Sequence, residues 1–138
     1  MINHECYVSL EVAKLLKQAG FDWPCNHAIC CDCTHYPNLK EGDVLEYNYL
    51  ECSELMEGKK PHMLLCPTLD VAQRWLREVK EIEVNTLCVY INNVKKYSYS
   101  VFEGKYNNER IEEGFDTFEE ALEAGIKKVL EIILEEEE

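Results

Sequence analysis

Residues 117 to 134 carry the clearest helix signal in the chain, and that signal dictates most of what the fold must achieve. Thr117-Phe118-Glu119-Glu120 has the form of a capping box. The Thr117 hydroxyl is placed to accept from the Glu120 amide, and the Glu120 side chain to reach back to the Thr117 amide. Phe118, Leu122, Ile126, Val129, Leu130 and Ile133 then recur at three- and four-residue steps, so they share one face. An apolar stripe of this length has to be buried. The strands that precede it in the chain are the nearest partner.

Those strands are announced by a change of period. Ile82 to Ile91 is rich in β-branched and apolar residues and is expected to form a buried strand. Asn92-Asn93 tolerates the positive φ angles of a two-residue turn. On the return, Tyr97, Tyr99 and Val101 alternate with Ser98, Ser100 and Phe102, and Tyr106 to Gly114 supplies a polar third strand at an edge. Phe118, Leu122, Ile126, Val129 and Ile133 are expected to pack on this hairpin.

Two further helices are signalled at both chain levels, by stripe and by cap. Ser9 is the N-cap of a helix over 10–19, and Glu11 lies in its first turn. Gly20 is suited to a left-handed stop, with Phe21 folding back on Leu16. Pro67-Thr68 opens another helix, with Asp70 in its first turn and Leu69, Ala72, Trp75, Leu76 and Val79 on one side. Trp75 is read as a core anchor. The predicted fold is therefore α+β: one domain over 1–138, an antiparallel sheet of three or more strands, and about three helices packed on it. No internal repeat or linker interrupts it. Glu135 to Glu138 form an acidic tail, expected to fray because the helix C-terminus disfavours acids.

The stretch from Asp22 to Pro67 is punctuated by prolines and glycines. A structureless loop of about 45 residues does not suit a compact domain, so short strands or turns are expected within it. Val44 to Leu50 is the one candidate strand. The same stretch contains the densest chemistry: Cys25, His27, Cys30, Cys31, Cys33 and His35. Cys30 and Cys33 have the two-residue gap of a zinc knuckle, which lets two thiolates reach one ion from one tight turn. Cys25, His27 and His35 are the expected remaining ligands, so the candidate metal set is Cys25, His27, Cys30, Cys33 and His35, with zinc as the cofactor. The competing reading is a thiol-rich loop whose cysteines are buried as small hydrophobes.

Charge bounds the partners. Fourteen basic residues against twenty-seven acidic ones give a net charge of −13. Such a field repels duplex nucleic acid and anionic membranes, and favours solubility or a basic partner. No apolar leader or spanning run is expected from this sequence, and the eight cysteines are expected to lie in a reducing cytoplasm. No serine elbow, phosphate loop or nucleotide fingerprint occurs. No catalytic residue is therefore assigned.

Three segments resemble a group of small proteins of bacteriophages and mobile elements of gut bacteria. They are Tyr7-Val8-Ser9-Leu10-Glu11-Val12-Ala13-Lys14-Leu15-Leu16 continuing to Gly20-Phe21-Asp22 and Pro24-Cys25, Pro67-Thr68-Leu69 through Ala72 to Trp75-Leu76-Arg77-Glu78, and Thr117-Phe118-Glu119-Glu120-Ala121-Leu122-Glu123-Ala124-Gly125. They fall on the three predicted helices, and the run from Cys30 to His35 departs from the group. The resemblance brings no established activity with it. The expected function, read from the chain as a whole, is a non-enzymatic accessory or protein-interaction role with an unknown protein partner. A zinc-binding module and an acidic DNA mimic that blocks a host DNA-binding protein are the alternatives.

Overall fold

The computed structural model describes residues 7–30, 41–46, 63–103 and 108–136. The class is α+β: among the described residues are three helices and two antiparallel three-stranded sheets. The chain divides into two compact units, Met1–Thr68 and Leu69–Glu138.

In the first unit, helix α1 (Leu10–Gln18) is bounded as its sequence requires. The Val12 amide donates to Ser9 Oγ at 3.3 Å, the N-cap bond. At the other end Gly20 takes φ +94°, the Phe21 amide donates to Leu16 O at 2.9 Å, and the Gly20 amide donates to Lys17 O at 3.1 Å. These are the two bonds of a Schellman stop, and Phe21 and Leu16 are both buried beside it. The helix lies against a small sheet of order β2-β1-β3, formed by β1 (His27–Cys30), β2 (Val44–Glu46) and β3 (Met63–Leu65). β1 is central and antiparallel to both neighbours. The Val8 amide donates to Pro67 O at 3.1 Å and ties the chain's start to the end of this sheet. These three strands are the structure expected within the proline-rich stretch. The predicted strand over 44–50 begins where it should, and 47–50 lie outside the described residues.

The second unit is built on β4 (Ile82–Ile91), β5 (Val94–Glu103) and β6 (Asn108–Phe115), in that spatial order. Asn92 and Asn93 have φ of 52° and 66° and pair Ile91 with Val94, as a two-residue turn demands. The register shifts near Tyr97 and Ser98, which pair with Phe115 and Glu113 and leave Gly114 as the extra residue. The bulge brings Phe115 to the face occupied by Tyr99, with their ring centroids 5.8 Å apart.

Helices α2 (Leu69–Val79) and α3 (Phe118–Glu136) pack side by side over β4, and α3 also covers β5. The Glu120 amide donates to Thr117 Oγ1 at 3.1 Å, the forward half of the capping box. Leu122, Ile126, Val129, Leu130 and Ile133 are buried, as their spacing predicts, and Trp75 is buried in α2. Phe118 is a correction. It is 44% exposed, because it occupies the first helical position, and it only meets the Tyr97 ring edge-on at 6.2 Å. The closest approach of helix to sheet is instead at Gly125. A Cβ there would stand 2.6 Å from Val84 Cγ1 and 3.0 Å from Tyr99 Cγ.

Candidate functional site

The described members of the expected zinc set do not converge. β1 runs through His27, Ala28, Ile29 and Cys30, and successive residues of a strand point to opposite faces. His27 and Cys30, three apart, therefore lie on opposite sides of it. Cys30 is fully buried in an apolar cluster with Ala28 and Met63, with Leu45 packed against it. His27 Nε2 is 3.1 Å from the Tyr7 hydroxyl, with the two rings 4.5 Å apart. The Cys25 thiol donates to Trp23 O at 3.4 Å, and the Cys66 thiol to Val8 O at 3.6 Å. Cys33 and His35 lie outside the described residues. Among the described residues no three histidine, cysteine or acidic side chains gather as metal ligands. Elemental analysis of protein purified reduced and without chelator checks the zinc expectation. About one equivalent of zinc supports a site, and less than about a tenth of an equivalent rejects it.

The first unit also holds a cleft of about 140 Å³ between the end of α1 and β3, with Leu16, Phe21 and Met63 in its wall and Lys17 and Asp22 among its polar groups.

The second unit presents a larger feature, the face of its sheet opposite the helices. Val84 and Tyr99 point at α3, so residues an odd number of positions away on each strand point the other way. On β4 those are Glu83, Asn85, Leu87, Val89 and Ile91, and on β5 Val94, Lys96, Ser98, Ser100 and Phe102. Ile111 joins them from β6, opposite Ser100. Leu87 is 59% exposed and Ile111 60%, with Val94, Phe102 and Ile91 also exposed. The expectation of a buried strand over 82–91 is thus corrected. Only Val84 is fully buried, because helices cover one face of the hairpin and its apolar residues occupy both. The signal that exposes this was in the sequence: an antiparallel hairpin whose strand is apolar at both parities needs cover on two sides.

The sheet has two outer strands of different character. β6 carries Glu112 and Glu113, charges of the kind that discourage a further strand, and the Tyr99 hydroxyl donates to Glu112 Oε2 at 2.7 Å. β4 is uncharged from Val84 to Ile91. The tight turn makes Ile91 and Val94 a hydrogen-bonded pair, so alternate pairs back along the ladder leave Tyr90, Cys88, Thr86 and Val84 with N–H and C=O directed away from β5. At Val84 that carbonyl accepts from Gln73 Nε2 of α2. Beyond it, Thr86, Cys88 and Tyr90 pair with no further strand among the described residues.

No family model, curated protein or solved structure matches the chain. Among the described residues no helix is long and apolar enough to cross a membrane.

Proposed function

We propose that the chain is a non-enzymatic interaction protein, an accessory factor of phage or mobile-element origin, that holds a protein partner against the open face of the β4–β5–β6 sheet. The exposure of Leu87, Val94, Phe102 and Ile111 on one face carries this reading. Several large exposed apolar side chains on one face of a sheet mark a surface that a partner covers. The origin rests on the resemblance of the three helical segments, and the cytoplasmic setting on thiols present at Cys25, Cys30, Cys66 and Cys88. The net charge of −13 sets the rest of the surface against duplex nucleic acid and anionic lipid.

The test is capture from host lysate with tagged wild-type protein and with Leu87→Glu and Ile111→Glu. Both positions are exposed, so the substitutions leave the fold intact, which far-UV circular dichroism verifies. The expected result is one stoichiometric protein retained by the wild type and lost by both variants. Identical capture by all three would place function elsewhere than this face.

A further inference from the structure

We infer that two copies of this chain associate through β4, edge to edge and antiparallel about a two-fold axis at Cys88, making one six-stranded sheet. The inference deepens the reading of this sheet as an interaction surface and rests on it.

The free length of β4 fixes the register. Gln73 occupies the outward carbonyl of Val84, and the Asn92-Asn93 turn ends the strand. The open run is therefore Asn85 to Ile91, about 23 Å at the usual rise of a strand. Its midpoint is Cys88, which is exposed. Antiparallel pairing about that midpoint sets Thr86 against Tyr90 of the partner subunit and Cys88 against Cys88 of the partner subunit. These are the residues whose N–H and C=O already point outward, so the Thr86–Tyr90 and Cys88–Cys88 pairs exchange hydrogen bonds and alternate with non-hydrogen-bonded pairs in the ordinary ladder pattern. On the open face, Leu87 comes opposite Val89 of the partner subunit. The apolar surface then continues across the axis and doubles in width.

Charge selects a second copy over another occupant. A basic partner drawn by the overall field would meet no acid anywhere between Val84 and Ile91. Two bodies each carrying −13 repel over most of their surfaces, and they tolerate contact where that charge is missing. The uncharged edge is such a place. It is also self-complementary, as an isologous contact must be. One consequence separates the two occupants. Association of two acidic copies through a neutral edge strengthens as salt screens their repulsion, whereas capture of a basic partner weakens.

Sedimentation equilibrium of the purified full chain tests this, without any host protein, at about 0.05 M and 0.5 M salt, ionic strengths at which screening differs severalfold. The expected result is a monomer–dimer equilibrium in the micromolar range that tightens at the higher salt. Cys88→Lys places like charges on the axis and is expected to weaken the dimer about tenfold or more, the equivalent of at least 1.4 kcal/mol. Cys88→Glu does the same, and an equimolar mixture of the two variants restores a dimer. That rescue shows that both variants are folded. Cys88→Pro removes only an outward-pointing amide, a position where an edge strand accepts proline, and also yields a monomer. A wild-type chain monomeric to about 1 mM, the concentration at which only about 4 kcal/mol of affinity is needed, overturns the inference. A dimer that all three variants leave unchanged does so too. Neither outcome bears on partner capture by the open face, which Leu87→Glu and Ile111→Glu report independently.

Discussion

Ile126→Ala is expected to lower stability by about 2–5 kcal/mol and the melting temperature by on the order of 10 °C or more. Ile126 is fully buried at the middle of α3, between Leu122 and Leu130 on a face that covers β4 and β5. Removing three carbons there forfeits their transfer energy and opens a cavity that neighbouring strands, held in a ladder, cannot collapse to fill. Phe118→Ala is the internal control. Its ring is 44% exposed and meets Tyr97 edge-on, so its loss is expected to cost about 1 kcal/mol or less. Urea denaturation of the two variants beside the wild type measures both. Equal losses would mean that the buried face of α3 has been misassigned.

Gly125 gives the second large effect, and its sign is the informative part. Alanine favours a helix interior over glycine by about 1 kcal/mol, so an exposed helical glycine is improved by this change. Here the new Cβ would lie 2.6 Å from Val84 Cγ1 and 3.0–3.1 Å from the Tyr99 ring. Neither neighbour is the loose end of a long side chain. Val84 is branched at Cβ and held in the strand, and Tyr99 is buried with its hydroxyl bonded to Glu112. Overpacking of this kind costs about 1–3 kcal/mol, which exceeds the propensity gain. Gly125→Ala is therefore expected to destabilise, and Gly125→Val to do so by several kcal/mol. Val84→Ala in the Gly125→Ala background removes the obstructing methyl. The pair should then cost less than the sum of its singles by about 0.5–3 kcal/mol. A Gly125→Ala protein more stable than the wild type would refute the close approach.

What could be read in the sequence follows the range of the interaction responsible. Both ends of α1, the first bond of the α3 capping box and the Asn92-Asn93 turn are settled by residues within about five positions of one another, and all are present as expected. The β5 alternation was equally legible, because Tyr97, Tyr99 and Val101 repeat with period two. Two of the three short strands of the first unit were not. β1 and β3 are only four and three residues long, and Ile29 pairs with Leu64, far along the chain. In strands so short the information lies in the partner. The cysteine set is described only in part. His27 and Cys30 lie three apart in a strand whose pleat sends them to opposite sides, and Cys33 and His35, on which the knuckle depends, lie outside the described residues. Gly125 was legible only as a helical glycine, and no local pattern revealed that Val84, far earlier in the chain, would be its neighbour.

The order in which the second unit emerges during synthesis gives the α3 stripe a role beyond stability. α2, β4, β5 and β6 each precede it, and β4 closes on β5 through a turn of two residues. A hairpin of that kind forms within about 1–10 μs, far faster than a ribosome adds a residue. The strands are therefore free to pair before their main cover is made. During that interval Val101 and Tyr99 have no α3 above them, while Leu87 and Ile111 are bare on the other side. The nascent chain passes through a state with apolar side chains open on both faces of one sheet. Chaperone dependence, if measured on translation-arrested chains, should peak for lengths that end between Phe115 and the emergence of Leu130, and fall once the helix has closed.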